Sequence, residues 1–448
     1  MSPMPASDEE VLASAVAAFE AKAAALDAIA HEFQAQMARG LAGASGSLKM
    51  LRTFTRQPTG RERGRVVVVD WGGTKGRAGI VELAGGGSAR VVAEEVFTFS
   101  EALKRGAVAP VFDVVAAAIG RVVDAQPAGA YPLGFVYSFP ARLERIDRAV
   151  ALALTKGWSL TGLEGQDVAG LLNEALRRHG LERITVTAVA NDTVAALMLQ
   201  SYRACGAGEA KTADIGLILG TGTNQAADLG PAGIRNLESG NFDGVAAIET
   251  PYDAALDREL QEPRPGAQRF EKMVSGRYLA EVLRRVLDDL GHRTSRFGWS
   301  SSAFATPFAV GSEHLSRIAA DQTAALYQVD ALLRGLGVTS TRPERHALRE
   351  LSGAIVRRAA RLVATALLGT LRFLDPEVAG RRTIAVDGSL WGGYPGFEAL
   401  VRETLDELIG RERTTLIEIA FVKDSTSAGA AVIAAVAALQ RSERCGSA

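Results

Sequence analysis

Cysteine is scarce in this sequence of 448 residues, which contains only Cys205 and Cys445. Two distant cysteines cannot build a framework of disulfides, and neither lies in the spacing of a metal-binding motif. The five histidines are scattered along the sequence and match no catalytic triad or metal-ligand pattern. Because scarce cysteine is typical of a reducing compartment, we expect a cytoplasmic protein.

The sequence also lacks an excess of charge and long apolar runs. Its 50 Lys and Arg against 51 Asp and Glu give a formal net charge of -1, which offers no attraction to nucleic acid or to an anionic membrane. The first residues, MSPMPASDEEVL, are acidic where a secretory signal is basic. The most apolar stretch, 428–439, is too short to cross a bilayer and predicts a buried helix. We therefore expect neither nucleic acid nor a membrane as a partner.

Strand and helix patterns alternate along the chain, which predicts an α/β fold. The patterns predict strands over 133–139 and 184–189 and helices over 8–41, 166–178, 269–290 and 344–374.

Two apolar runs end in glycine and threonine: RVVVVDWGGTKGR over 65–77 and DIGLILGTGTN over 214–224. Each predicts a buried strand that leads into a turn, and the shared pattern suggests two related halves facing one nucleotide. Glycine lets backbone N–H groups approach a polyphosphate, and threonine adds a hydroxyl donor. Asp70, at the end of the first run, suits water-bound magnesium. Either loop alone also fits an ordinary tight turn.

Polar residues precede a further predicted helix over 194–202. Asn191 and Asp192 follow the strand 184–189, and an Asp there either caps the helix or acts as a general base. Lys156, before a glycine, and Ser138, at a strand end, have equally ordinary structural explanations. The residues alone thus reach an α/β phosphate-binding protein and stop there.

Nine segments, read in order, resemble the hexokinase family, and the similarity covers about 30–439. They are the connecting stretch GLAGASGSLKMLRTF, the first phosphate loop DWGGTKGR, the sugar-binding segments FVYSFPARL and LTKGW, the catalytic segment VANDTVAALM, the second phosphate loop GLILGTGTN, the long stretch TPYDAALDREL…RFEKMVSGRYLAEVLR, the adenosine segment IAVDGSLWGGYPGF, and the start of the last helix, DSTSAGAAVIAAV. Their shared order makes the resemblance specific.

The resemblance implies a kinase that uses ATP and Mg²⁺ to phosphorylate the 6-hydroxyl of glucose or a related hexose. By position, Asp192 would be the catalytic base, and Lys156 would lie near the reacting oxygen. The sugar hydroxyls would be held by Ser138, Thr155, Lys156, Asn191, Asp192, Asn224, Glu238 and Glu271. The nucleotide would contact Asp70, Gly72, Gly73, Thr74, Lys75, Arg77, Gly220, Thr221, Gly222, Thr223, Asp387, Gly388 and Ser389, with Asp70 reaching the metal through water.

The fold that the resemblance implies has two actin-like (ribonuclease H-like) α/β lobes with the active-site cleft between them. We expect residues 1–61 to form a helix and a connection packed on the large lobe. Residues 62–192, completed by 430–448, would form the small lobe, and residues 193–429 the large lobe. The sugar would bridge the lobes and close the cleft, which excludes water.

The sequence departs from the family pattern at several positions. Lys75-Gly76 stands where Asn-Phe is usual, Arg52 where Pro is usual and Ser239 where Trp is usual, while Ser425 and Ser427 replace glycines. These changes bear on the phosphate contacts, the pocket wall and the last nucleotide contact. None removes a residue assigned to the chemistry.

Two other functions compete with the kinase. A sugar sensor or scaffold would keep the fold and lose the base, whereas Asp192, Lys156 and both loops are present here. An actin-like ATPase would explain the phosphate loops but not the FEKMVSG and SFP…TKGW segments. Each alternative leaves some of these residues or segments unexplained, so the kinase is the better interpretation.

Overall fold

The computed structural model describes residues 7–72, 75–124, 129–152, 154, 158–208, 212–261, 263–295, 297, 304 and 306–446. Its strands are β1 (Leu51–Arg52), β2 (Arg63–Trp71), β3 (Lys75–Gly85), β4 (Ser88–Thr98), β5 (Tyr131–Tyr137), β6 (Ala141–Arg145), β7 (Arg148–Ala151), β8 (Ile184–Ala190), β9 (Ile215–Leu219), β10 (Thr223–Asp228), β11 (Ile234–Asn236), β12 (Arg382–Asp387) and β13 (Ile417–Phe421).

Sixteen α-helices are described: α1 (Asp8–Ala17), α2 (Ala23–Leu41), α3 (Glu101–Lys104), α4 (Val108–Val123), α5 (Val168–Arg178), α6 (Asp192–Gly206), α7 (Pro251–Glu259), α8 (Arg269–Val274), α9 (Gly276–Arg293), α10 (Ser312–Ala320), α11 (Tyr327–Gly335), α12 (Arg342–Leu374), α13 (Ser389–Gly393), α14 (Phe397–Ile409), α15 (Arg411–Thr414) and α16 (Ser425–Gly446).

The two large sheets share one topology. In the first sheet, β2, β3 and β4 form an antiparallel meander, and β5 and β8 continue from β2 in parallel. In the second, β9, β10 and β11 form the meander, β12 and β13 continue in parallel, and the short β1 adds to β11. The chain therefore has the two actin-like α/β units that the sequence predicts. The division of the chain into lobes at the boundaries given above stays a prediction.

The apolar stretch 428–439 lies within α16, as predicted, and its residues up to 437 are buried. Small residues allow this helix to pack closely on the first sheet and on α6. A Cβ on Gly429 would lie 2.1 Å from the Ala195 carbonyl oxygen, and a Cβ on Gly134 would lie 2.4 Å from that of Ala430. In the described part of the chain, no helix combines the length and apolarity of a membrane span.

The predicted helix over 8–41 is wrong as a single element, because the chain leaves helical geometry between α1 and α2. The connection carries Phe19 into the core, where it is 2% exposed and lies under the guanidinium of Arg358, 4.9 Å from the ring centre. Burying this ring outweighs the loss of one helical turn. The N-terminal segment also contacts the rest of the protein through α2, which packs along α12.

The predicted helix over 269–290 is also two helices, separated at Ser275, whose φ of -88° and ψ of 152° are extended. The break aims the start of α9 at the turn after β9. The N–H of Gly276 donates to the carbonyl oxygen of Gly220 at 2.8 Å. The predicted helix over 344–374 is confirmed as α12, with Thr341 and Glu344 forming its capping box.

Candidate active site

The first glycine turn joins β2 to β3. The N–H of Gly72 donates to the carbonyl oxygen of Lys75 at 3.2 Å, which closes the turn. Asp70 lies on β2 opposite Arg77, and the side chains of Lys75 and Arg77 are exposed. Gly73 and Thr74 lie outside the described residues. Asp70, Gly72, Lys75 and Arg77 therefore share one end of the first sheet.

A cluster of aromatic rings supports this turn, and sequence reasoning missed it because its members are scattered along the chain. Trp71 is fully buried, and its ring centre lies 5.1–6.4 Å from those of six other residues. They are Phe99, Phe112, Phe135, Tyr137, Phe139 and Trp158. Burial raises the pKa of Tyr137. A buried cluster of aromatic side chains therefore packs beneath the first glycine turn.

The Lys75-Gly76 departure has a structural explanation. Gly76 is paired with Phe97 of β4, and a Cβ on Gly76 would lie 2.3 Å from the Phe97 ring. The ring of Phe97 therefore occupies the space that a side chain at position 76 would take.

The end of β5 meets the end of β2. Ser138 follows β5, and its N–H donates to the carbonyl oxygen of Trp71 at 3.3 Å, so Ser138 lies beside the first turn. Thr155 and Lys156 lie outside the described residues.

Asn191 and Asp192 begin α6. Asn191, not Asp192, is the cap: its Oδ1 accepts the N–H of Thr193 at 2.9 Å. Asp192 is the first residue of the helix, and its Oδ1 accepts the same N–H at 2.8 Å. The helix terminus favours a charged carboxylate at this position. Both side chains are partly exposed.

A network of amides links the start of α6 to the second sheet. The Nδ2 of Asn224 on β10 lies 3.0 Å from Oγ1 of Thr193, 3.4 Å from Oδ1 of Asn191 and 2.8 Å from Oδ1 of Asn236. Asn236 in turn donates from Nδ2 to Oε1 of Glu238 at 2.8 Å. The structure thus brings together Asn191, Asn224 and Glu238. Sequence reasoning missed Asn236, which ends β11 without any motif of its own.

Ser239, which follows Glu238, is fully buried. Its N–H donates to Oδ1 of Asn224 at 3.0 Å, while its hydroxyl finds no hydrogen-bond partner among the described residues. The departure from Trp therefore leaves a small polar side chain in the wall of the network.

Glu271 on α8 contacts the second glycine turn. Its Oε2 accepts the N–H of Thr223 at 2.9 Å, and a Cβ on Gly222 would lie 2.7 Å from the same oxygen. Burial, and then the charge of Glu271, raise the pKa of Tyr278 to about 12. A predicted sugar-binding carboxylate therefore lies directly against a predicted phosphate loop.

The second glycine turn also contacts the end of β12. A Cβ on Gly220 would lie 3.2 Å from the backbone nitrogen of Ser389, and Gly388 has a φ of +126°, which favours glycine. Gly220 thus lies close to the backbone of Gly388 and Ser389, and two adjacent glycine-containing turns suit the approach of a nucleotide phosphate.

The carboxylate of Asp387 is held by the protein itself. Its Oδ1 accepts the N–H of Gly388 at 2.7 Å, and its Oδ2 accepts the N–H and the hydroxyl of Ser425, each at 2.7 Å. Ser425 is fully buried, so this departure from glycine joins the end of β12 to the start of α16. Ser427, two residues later, is 8% exposed.

Arg277 is a further residue that sequence reasoning missed. Its N–H donates to the carbonyl oxygen of Thr221 at 3.4 Å. Its exposed guanidinium lies 5.4 Å from the ring centre of Phe308, an arrangement that favours a cation over the aromatic face. In the sequence, the only indication of a role for Arg277 is its position directly after FEKMVSG. Arg277 therefore brings a positively charged side chain to the start of α9, where its backbone contacts the second turn.

No cluster of three or more potential metal ligands occurs among the residues whose positions are described. Asp70 lies on β2 beside the first turn. A carboxylate there suits a magnesium ion that arrives with the nucleotide phosphates, because such an ion uses few protein ligands.

Two family models described as "Hexokinase" match residues 11–202 and 214–436. "Hexokinase-7" of Oryza sativa subsp. japonica is 34% identical, over 96% of this chain and 97% of that protein. "Hexokinase-3" of Rattus norvegicus is 33% identical over 96% of this chain, which spans about half (48%) of that protein's length. A solved hexokinase from Schistosoma mansoni complexed with glucose is 26% identical, with a TM-score of 0.82, and covers 96% of this chain and 100% of that one.

Proposed function

The chain belongs to the hexokinase family, and we propose that it transfers the terminal phosphate of ATP to the 6-hydroxyl of glucose or a related hexose. The observation that carries the proposal is the amide network. It joins the start of α6, where Asp192 lies, to Asn224 on the second sheet and, through Asn236, to Glu238. Scarce cysteine supports a cytoplasmic location.

In this proposal, Asp192 takes the proton of the 6-hydroxyl while that oxygen attacks the terminal phosphorus and ADP leaves. The hydrogen bond from the Thr193 N–H to Oδ1 orients the carboxylate at the start of α6. Lys156 would stabilise the charge that develops on the transferred group. Positioning and charge neutralisation are most of what phosphoryl transfer requires.

The remaining hydroxyls would be read by fixed donors and acceptors. Because Oδ1 of Asn191 is turned inward to cap α6, its Nδ2 is the group that would donate to the sugar. Glu238 and Glu271 would accept hydrogen bonds from sugar hydroxyls, as would Ser138 and Thr155. Asn224 already uses both polar atoms within the protein, so a bond to the sugar would replace one of these contacts.

The nucleotide would lie on the two glycine turns and the end of β12. Gly220, Thr221 and Gly222 would lie against the phosphates. The N–H of Gly220 already donates to the carbonyl oxygen of Gly222 at 2.9 Å, so Thr221 and Gly222 would offer the backbone N–H groups, and Arg277 would add a positive charge. Magnesium, when bound, neutralises phosphate charge and would be reached by Asp70 through water. Gly388 and Ser389 would contact the adenosine, while Asp387 would hold their backbone in place.

The test is a coupled assay with ATP, Mg²⁺ and a panel of hexoses on the wild type and on Asp192→Asn. Asn keeps the acceptor for the Thr193 N–H but cannot take a proton, so turnover should fall by about 10²- to 10⁴-fold while glucose binding is retained. Asp167→Asn is the matched control, because Asp167 caps α5 by accepting the Ala169 N–H.

Three outcomes separate the candidates. Loss of turnover in Asp192→Asn alone supports the kinase and its base. Equal turnover in Asp192→Asn and the wild type contradicts the role of Asp192. Glucose binding without phosphorylation of any hexose by the wild type would instead support a sugar sensor.

A further inference from the structure

The structure assigns Asn236 as a positioning residue that sets the geometry of two proposed sugar-binding groups, Asn224 and Glu238. This inference rests on the proposed function of the site. Asn236 ends β11, is 6% exposed, and is held in the sheet between Leu51 of β1 and Ala226 of β10. Its backbone therefore cannot move independently of the second sheet.

Backbone donors determine which way each amide points. The Oδ1 of Asn236 accepts the N–H of Glu238 at 3.1 Å, and a backbone N–H can only donate. The Nδ2 of Asn236 must therefore face Glu238, whose Oε1 it reaches at 2.8 Å. One side chain thus holds both the backbone and the carboxylate of Glu238.

The same reasoning applies to Asn224. Its Oδ1 accepts the N–H groups of Gln225 at 2.7 Å and of Ser239 at 3.0 Å, so its Nδ2 must point toward Oδ1 of Asn236, 2.8 Å away. Asn236 Oδ1 is the acceptor that completes this arrangement. Without it, the Nδ2 of Asn224 would keep only its partners at the start of α6, Asn191 and Thr193.

Glu238 needs this support because its backbone is strained. Its φ of 53° and ψ of 47° place it in the left-handed region, which a non-glycine residue adopts at a cost of about 1–2 kcal/mol. Asn236 accepts a hydrogen bond from the N–H of Glu238 and donates one to its carboxylate, and these two bonds hold the residue in that conformation. The direction of the Glu238 carboxylate therefore depends on the amide group at position 236.

The decisive variant is Asn236→Asp, which has the same shape and keeps both acceptor roles. It replaces the donor to Glu238 with a second carboxylate, and two neighbouring carboxylates resist joint ionisation. We expect the Kd for glucose, measured by calorimetry at about pH 8, to rise by about 10- to 100-fold. At about pH 5.5 the rise should shrink, because the pair then shares a proton and regains a donor.

Other titrating groups do not produce this pattern. Arg52 of β1 and Arg235 of β11 are the charged residues adjacent on the paired strands, and arginine stays charged throughout this range. Titration of Asp192 affects the wild type equally, so the ratio of variant to wild-type Kd at each pH isolates position 236. If Asn236 had a purely structural role, this ratio of Kd values would be the same at both pH values.

Asn173→Asp is the matched control, since Asn173 also accepts a backbone N–H, from Val186 at 3.0 Å, on the first sheet's side of the molecule. Its glucose Kd should equal that of the wild type at both pH values. Asn236→Ala, with its thermal midpoint measured, separates weak binding from unfolding.

The inference is overturned if folded Asn236→Asp binds glucose within about twofold of the wild type at about pH 8, or if its deficit is the same at both pH values. It also fails if the wild type binds no hexose. If the wild type binds glucose but phosphorylates no hexose, only the proposed function fails, because Kd does not depend on turnover.

Discussion

A single methyl group at Gly222 tests the contact between the second glycine turn and Glu271. The Cβ of Gly222→Ala would lie 2.7 Å from Oε2 and 3.4 Å from Cδ of Glu271. Gly222 is not among the glycines with positive φ, so its backbone tolerates alanine. The strain therefore falls on the carboxylate, which must move away.

The size of the effect follows from these distances. A carbon and an oxygen at rest are about 3.3 Å apart, so the carboxylate has to move by about 0.6 Å. That movement stretches its 2.9 Å hydrogen bond from the Thr223 N–H toward 3.5 Å, where little of the bond remains. Losing a hydrogen bond to a charged group costs about 1.5–3 kcal/mol, which corresponds to roughly 10- to 100-fold in kcat/KM for glucose.

Gly220→Ala provides the contrast, because it lies in the same turn and faces the end of β12. Its Cβ would lie 3.2 Å from the nitrogen and 3.3 Å from Oγ of Ser389, on the side assigned to the nucleotide. We expect Gly220→Ala to raise only the KM for ATP, and by a smaller factor than Gly222→Ala lowers kcat/KM for glucose. Gly353→Ala on α12, with no atom within 4 Å of its Cβ, should leave kcat/KM for glucose and KM for ATP unchanged.

Steady-state kinetics with glucose and ATP varied separately give the result. A glucose-specific loss in Gly222→Ala and an ATP-specific loss in Gly220→Ala support the assignment of the two sides. The reasoning is refuted if Gly222→Ala leaves kcat/KM for glucose unchanged, or if both variants lose the same constant.

Two further predictions concern stability. Burial opposes ionisation of Asp253, but Arg358 outweighs it and keeps the pKa below its usual range, so the pair stabilises above about pH 4 and this stabilisation is lost as pH falls through the lowered pKa. Arg358→Met should cost about 3–5 kcal/mol in urea unfolding at neutral pH, and less at about pH 5, where the unpaired carboxyl is protonated; an equal cost at both pH values would contradict this. Gly76→Ala should destabilise the wild type by about 1–3 kcal/mol, because its methyl group would clash with the Phe97 ring. In a Phe97→Ala background the same change should be almost neutral. If the two costs are additive in the double-mutant cycle, that contact is ruled out.

The sequence predicts the regular elements and the glycine turns well, because each has a local pattern. The apolar runs ending at Trp71 and Leu219 do become β2 and β9, each opening an antiparallel meander. The helix breaks were not predictable, since both depend on distant partners. Phe19 leaves the helical path to pack under Arg358, and Ser275 breaks the helix so that Gly276 reaches Gly220.

Most of the candidate site could be named from the resemblance, but not how its side chains are used. Motif positions identify Asn224 and Asp387 as ligand residues, whereas hydrogen bonds within the protein occupy the amide of one and the carboxylate of the other. Asn236 and Arg277 lie in no motif that points to a role, because their roles arise from strand pairing and from the broken helix. These are relations between distant segments, which a linear pattern does not carry.

The serine that departs from the family pattern at position 425 shows how such a change can be compatible with function. A glycine there would leave Asp387 with backbone donors only, whereas the buried Ser425 hydroxyl gives its Oδ2 a second donor. The added bond joins β12 to α16, which itself packs on α6 and on the first sheet. The proposed nucleotide contacts at Gly388 and Ser389 are backbone groups. The additional hydrogen bond to Asp387 therefore helps to hold this backbone in place without using any atom that the nucleotide needs. A departure in sequence can therefore reinforce the backbone geometry on which binding depends.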